Sequence, residues 1–322
     1  MRILPRKTNT IAYLISMRWY SALIAVMAGW LGIVFCGVRP HSTDAIIALS
    51  ILLVGWGVNQ IINDYFGLAE DRHNAPTRPM VTGALPVRFA LTLSGILFII
   101  GLVLTFSLNP SAVIFYCIVF AFNIIYARVK RMPLLGNFFF GLLIAPCVYY
   151  SAACVNNRAF LEVLLDSKLA ALALLVWMVN FALCFFSDFK DYDGDKKENI
   201  KTLVVLLGLQ KARIIGCIIA LIPFLYVWFL LQQPALSSYR TTPVFIAMMV
   251  TTVLLFFWPV VLLIKDPRGR NTFLALQWIT IGAILFETAL VGLAYPMLSL
   301  ILFISNGITA RLLFYMYREY PL

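Results

Sequence analysis

The chain has 322 residues, 62% of them hydrophobic and only 12% charged, with a mean hydropathy of +0.92. A soluble domain is about half apolar and about a quarter charged, so this composition excludes one and puts the chain in the membrane class. The net charge of +11 does not point to nucleic acid, because the basic residues mostly sit in short loops between apolar runs and none interleave with aromatics as a base-stacking platform would.

Apolar runs of roughly 17–25 residues, the length that spans a bilayer as helix, predict an all-α chain. Spans fall near 11–36, 43–62, 87–107, 110–127, 134–155, 168–187, 211–232, 242–264, 271–293 and 297–316. The short alternating segments of a membrane barrel are missing. "MRILPRK" at the start reads as the approach to an ordinary first helix rather than a signal peptide, because Arg18 interrupts the run behind it and many spans follow. Prolines mark tight turns at "SLNP" (107–110) and "AYPM" (294–297). The cysteines form no CxxC pair, and His41 and His73 stand alone, which argues against zinc and a disulfide framework.

With a cytoplasmic N-terminus, nineteen Lys and Arg fall in the inside segments and four (Arg39, Arg158, Lys168, Arg240) outside. That bias fixes the orientation. It favours ten crossings over nine, because ten return Arg318 to the inside. The predicted molecule is a multi-pass transmembrane helical bundle of nine to ten spans, with one domain over 1–322.

Eight of the 14 acids lie in two loops of the inner face: Asp64, Glu70 and Asp71, then Asp188, Asp191, Asp193, Asp195 and Glu198. If the helix continues into the second loop, Asp188, Asp191 and Asp195 share one face and Asp193 points away. Asp64 and Asp71 share a face in the first loop. Gly67 stands where a third carboxylate would complete that series, with Glu70 about 60° further round. Carboxylates on one face repel one another and are expected to hold a cation. Oxygen ligands without Cys or His point to magnesium, manganese or calcium. With Arg72, Arg78, Lys130, Arg131 and Lys190 nearby, the two acidic helix ends look like a diphosphate site.

Arg18 lies within the first span, where a charge usually faces an interior cavity. It either contacts a bound ligand or snorkels to the membrane edge. Asn59, Gln60, Asn123 and Asn180 read as interhelical hydrogen-bonding groups, and Asn59 joins Arg18 as a further site candidate.

At these residues the chain resembles the UbiA superfamily of intramembrane prenyltransferases. That family's first motif, NDxxDxxxD, aligns with Asn63, Asp64, Gly67 and Asp71, followed by Asn74, Pro76, Arg78, Pro79 and Gly83. Its second, DxxDxxxD, aligns with Asp188, Asp191 and Asp195, followed by Lys201, Thr202, Leu203 and Gly208. Between them, "YARVKRMPLLGNFFFG" supplies Tyr126, Lys130, Arg131, Asn137 and Gly141. The match runs from about residue 55 to 210, and it departs at Gly67, where the family has Asp.

The resemblance implies helices around a central cavity opening at the cytoplasmic face. It implies Mg²⁺ (or Mn²⁺) held by Asp64, Asp71, Asp188, Asp191 and Asp195, with Glu70 as an added candidate. It implies diphosphate contacts from Asn63, Arg72, Arg78, Tyr126, Lys130, Arg131 and Lys190. The implied substrates are a prenyl diphosphate and an aromatic or lipid acceptor, met in the membrane lipid. A terpene cyclase of the same superfamily, needing no acceptor, is the alternative that Gly67 keeps open. A cation-coupled transporter fits less well, because its ligands would lie at mid-bilayer.

Overall fold

The computed structural model describes residues 8–37, 42–234 and 236–317. Arg2, Arg6, Lys7, Arg39, His41 and Arg318, which enter the readings above, lie outside them. The described residues form helices and no strands. Among the described residues nine helices, counting Leu135–Asn156 as one, are long and apolar enough to cross a membrane, and a bent pair makes a tenth.

The bent pair is the first departure from the sequence reading. The span expected over 11–36 is α1 (Asn9–Ser16) and α2 (Trp19–Phe35), meeting at 54°. Arg18 sits at the break in the left-handed region, with φ +49°. This conformation costs about 1–2 kcal/mol for a residue with a Cβ, so something must hold it. Packing is one part: the Met17 side chain lies so near Gly57, in the next helix, that a Cβ there would come within 2.2 Å of it. The other part is electrostatic and belongs to the site.

The next spans follow prediction closely. α3 is Thr43–Phe66, α5 is Val87–Leu108 and α6 is Ala112–Val129. A short α4, Leu68–Asn74, continues from α3. The fifth span is α7 (Leu135–Ile144) followed by α8 (Pro146–Asn156), with Pro146 at the start of α8 where no N–H is needed. After a short α9 (Phe160–Leu164), α10 runs from Ser167 to Lys197. It opens on Asp166, whose carboxylate accepts the Lys168 and Leu169 amides at 3.0 and 3.2 Å.

Helix α10 carries its turns well past the apolar stretch, so the condition for a shared aspartate face is met. α11 (Leu203–Leu231) begins earlier than predicted, with a kink at Gly208, φ +72°. α12 (Pro243–Lys265), α13 (Arg270–Val291) and α14 (Pro296–Met316) complete the bundle.

Helix α13 is the central post. Every residue from 279 to 293 is buried, as expected for a helix apolar all round. It packs on α2, α10, α12 and α14. Small residues bring other helices close: a Cβ on Gly32 of α2 would come within 2.0 Å of the Val148 carbonyl of α8. Such contacts replace the hydrophobic driving force that lipid removes. Together they hold the ends of α3, α6 and α10 around one cavity.

Candidate active site

Helix α3 ends at Gly67, whose N–H donates to the Asn63 carbonyl at 2.9 Å, and α4 restarts there, the Asp71 N–H donating to the Gly67 carbonyl at 2.9 Å. Asp64 and Asp71, on either side of this junction, are both buried and line one cavity. Two buried carboxylates need counter-charge. Arg78, from the loop after α4, supplies it to both: Nη1 donates to Asp64 Oδ1 at 3.3 Å and also to Asp71 Oδ2. Burial still pushes the Asp71 carboxyl above its usual range, against the pull of Arg78.

Arg18 supplies the second counter-charge. It donates from Nη1 to Gln60 Oε1 at 2.7 Å and from Nη2 to Asp64 Oδ1. This places its guanidinium at the cavity rather than at the membrane edge. It also gives the reason for the broken first span: the bend lets the guanidinium reach an Asp64 that is only 2% exposed.

Across the cavity, α10 presents Asp188, Asp191 and Asp195. Asp188 accepts from Asn137 Nδ2 of α7 at 3.0 Å, and Asp191 pairs with Lys190. Asp193 points away, as its position predicted, and meets Arg268 at 3.2 Å on the surface. The end of α6 adds Lys130, whose ammonium is 2.7 Å from Glu70 Oε2, while Arg131 pairs with the other oxygen.

The cavity between these walls has a volume of about 230 Å³. Its lining gathers Arg18, Asn63, Asp64, Glu70, Asp71, Arg78, Tyr126, Lys130, Arg131, Asp188, Lys190, Asp191 and Asp195. Two candidates fall outside it. Arg72 is exposed on the outer side of α4, because its neighbours Glu70 and Asp71 take the inner side. Asn59 lies deeper, lining a second, mostly apolar cavity, and its carbonyl accepts from Asn123 at 3.4 Å. Trp56 lines both cavities.

Sequence reasoning missed several parts. Asn137 appears in it only as part of a motif, yet it holds Asp188. Gln60 lies one helical turn before Asp64, a signal that it shares that face. Leu276 and Thr280 of α13 close the wall opposite α3, and nothing in their surroundings in the chain marks them. Glu287, buried in α13 and bonded to Asn180 at 3.3 Å, also went unnoticed in its apolar run.

The acids are partly neutralised within the protein. Among the described residues no three acidic, His or Cys side chains form a ready metal cage, and the protein's own cations neutralise most of them. Charges buried in low dielectric persist only when paired. The donor set nevertheless fits magnesium, which takes one or two carboxylates and completes its shell with substrate phosphate and water. Five aspartates on two facing walls, with oxygen donors only, meet that requirement.

An all-helical membrane bundle with paired aspartate series over an apolar cavity defines the class of intramembrane enzymes that act on a lipid-soluble substrate with a charged head. The chain belongs to the UbiA prenyltransferase family, whose model matches residues 22–281. It is an integral, multi-pass membrane transferase.

A digeranylgeranylglyceryl phosphate synthase of Thermococcus kodakarensis is 30% identical over 213 residues, 66% of this chain and 74% of the relative. Among solved structures, a UbiA homolog from Aeropyrum pernix K1 superposes with a TM-score of 0.70 at 17% identity, over 86% of this chain and 97% of that one. A UbiA homolog from Archaeoglobus fulgidus bound to GPP and Mg²⁺ gives 0.61 at 16% identity, over 93% and 99%. Family membership supersedes the transporter reading.

Proposed function

We propose that the chain transfers the prenyl group of a prenyl diphosphate to a hydroxyl of a lipid acceptor built on glyceryl phosphate, at the cavity between α3–α4 and α10. The observation that carries this is the meeting of the two aspartate series across one basic-rimmed cavity, directly above an apolar one. The acceptor class draws on the relatives named for digeranylgeranylglyceryl phosphate, in place of the aromatic acceptor.

In this reading the diphosphate lies between the walls. Asp64 and Asp71 on one side and Asp188, Asp191 and Asp195 on the other would hold Mg²⁺, with Mn²⁺ as a substitute. The metal, when bound, would supply positive charge that favours departure of the diphosphate. Arg78, Lys130, Arg131 and Lys190 turn from their carboxylates toward the phosphates and neutralise the leaving group. Asn63 and Tyr126 help fix its position.

The allylic C–O bond breaks, and the diphosphate leaves with the electron pair. The acceptor oxygen then bonds to the allylic carbon and loses its proton. Aromatic faces of Trp56, Tyr126 and Phe140 along the cavity stabilise the cation, and the apolar cavity below keeps water from quenching it. The inner-face charge bias supports a cytoplasmic side for this chemistry.

The test uses the full chain in lipid nanodiscs with geranylgeranyl diphosphate and Mg²⁺. Three arms receive a geranylgeranyl glyceryl phosphate acceptor, an aromatic acceptor or no acceptor, and lipid-soluble products are read by mass spectrometry. The proposal requires the doubly prenylated glyceryl phosphate in the first arm alone. A prenylated aromatic would overturn the acceptor class. A cyclic hydrocarbon without acceptor would establish the cyclase alternative.

A further inference from the structure

Glu287 of α13 is a buried acid that the site does not use. It follows Thr280 of the cavity wall by seven residues, about 10 Å along the helix, and two turns put both on one face. Asn180 Nδ2 of α10 donates to Glu287 Oε1 at 3.3 Å. Among the described residues Oε2 is buried and meets no donor. An ionised carboxylate held in this way would be a buried charge with no counter-charge, an arrangement that folded proteins avoid.

Asn180 carries the matching deficit. Its Nδ2 also donates to the Val176 carbonyl at 2.9 Å. That bond fixes the amide's orientation, because the reversed amide would set its oxygen against the carbonyl. Asn180 Oδ1 is buried and meets no donor. The pair therefore holds one N–H···O bond and two unmatched oxygens, one on each side chain. A single hydrogen on Oε2 satisfies both, since an un-ionised carboxyl is a donor as well as an acceptor. Acid and amide then close on each other through Nδ2–H···Oε1 and Oε2–H···Oδ1. The terminal torsions of Asn and Glu are broad, so side chains already joined on one edge can close the other. A magnesium or calcium ion takes about six or more oxygens, and this pair offers two.

We infer that Glu287 is a proton-binding site: the bound proton closes an acid–amide pair with Asn180 that clamps α10 to α13 beneath the active site. Asn180 precedes Asp188 by eight residues, about 12 Å along α10. The clamp thus joins the helix that carries Asp188, Asp191 and Asp195 to the helix that carries Leu276 and Thr280. The charges of the surrounding helices lie toward their ends. α10 has none between Lys168 and Asp188, and α2 has none from Trp19 to Phe35. On α12 the one charge is Lys265, at the turn into α13, and on α14 it is Arg311, which stacks on Trp278 nine residues back along α13. The buried Cys147 thiol of α8 is within electrostatic reach of Glu287. Loss of the proton would set two oxygens against each other and leave a bare charge. The clamp is therefore closed at neutral pH and released as pH rises. This inference is independent of the substrate reading.

The experiment compares the unmodified full chain with Glu287→Gln and Glu287→Ala in lipid nanodiscs. The infrared difference between unmodified protein and Glu287→Gln at neutral pH should show the carbonyl stretch of an un-ionised carboxylic acid. Other acids occur in both samples and cancel. Gln reproduces the pattern, since its Nε2 donates to Asn180 Oδ1 and its oxygen accepts from Nδ2, and it has no proton to lose. Glu287→Gln should therefore match the Tm of the unmodified protein at neutral pH and fall less than it at alkaline pH. Glu287→Ala should lose several degrees at both. Should Glu287→Ala not fold, the infrared spectrum and the Gln comparison decide alone. Carboxylate bands in place of the acid band at neutral pH would show an ionised Glu287 and overturn the inference. So would a Glu287→Gln as unstable at neutral pH as Glu287→Ala, or the same pH dependence in Glu287→Gln and the unmodified protein.

Discussion

The Lys130 ammonium lies 2.7 Å from Glu70 Oε2, and a Cβ built on Gly67 would come within 3.3 Å of that same nitrogen. Position 67, where the family motif carries Asp, therefore points at the cation that Glu70 now occupies. Glu70 is a partner of the basic rim rather than a third member of the Asp64–Asp71 face. Glu70→Gln should free Lys130 and Arg131 for the diphosphate and lower KM for the prenyl donor by about three-fold, in keeping with ~0.5–1 kcal/mol for a partly exposed ion pair. Steady-state kinetics at saturating Mg²⁺ measures this. A collapse of kcat would mean instead that Glu70 holds the metal.

Gly67→Asp should add a carboxylate between Lys130 and Asp71, whose Oδ2 is 3.6 Å from the built Cβ. The Asn63 carbonyl, at 3.0 Å, must give slightly. A second anion beside Asp71 strengthens cation binding, so the Mg²⁺ concentration for half-maximal rate should fall several-fold with the product unchanged. Mass spectrometry and a metal titration check both halves. A new product would mark Gly67 as part of a specialised chemistry.

On α10, the direction of each carboxylate decides its importance. Asp188→Asn and Asp191→Asn should reduce turnover by about 10²–10³-fold, the usual cost of removing one preorganised charge contact. Asp193→Asn should stay within about two-fold, because an exposed ion pair contributes little. Single-turnover assays on protein of matched thermal stability read the difference. Equal losses at 191 and 193 would contradict a helical α10 at this point.

Because protein cations already neutralise the acids, metal and diphosphate should bind together. Calorimetric titration with Mg²⁺ alone should show weak binding, and addition of inorganic diphosphate should tighten it markedly. Excess EDTA should abolish turnover, with Mg²⁺ or Mn²⁺ restoring it. Full activity in EDTA would remove the metal from the account.

Arg18→Ala leaves Asp64 buried with one cation fewer. It should cost about 3 kcal/mol, the lower end for breaking a buried pair, since Arg78 remains. Thermal unfolding in detergent should show the loss. Adding Asp64→Asn should recover part of that stability, because the uncompensated charge is gone. A double variant less stable than Arg18→Ala alone would show that the Arg18 bend is held by packing rather than charge.

The apolar runs made the spans legible, though not the bend in the first or the polar extensions of α10 and α11, and the spacing of Asp188, Asp191 and Asp195 made their shared face legible. Both are periodicities local to one helix. What stayed hidden depends on contacts between distant segments. Arg18 and Asp64 are 46 positions apart, and no local pattern forecasts that their pairing breaks the first span. Arg72 carries the right charge beside the right motif, but only the turn of α4 puts it outside. Asn137 and Gln60 hold charged groups in place, a role visible only once their partners are located.

The central claim is that two walls, from α3–α4 and from α10, share one diphosphate. Equilibrium binding of an unreactive prenyl thiodiphosphate in the presence of Mg²⁺ tests it most directly. Unmodified protein, Asp71→Asn and Asp191→Asn are compared, each with and without EDTA. The account predicts Mg²⁺-dependent binding to the unmodified protein and a large loss of that dependence in both variants. Loss in one variant with unaltered binding in the other would show that only one wall holds the diphosphate, and would contradict the account.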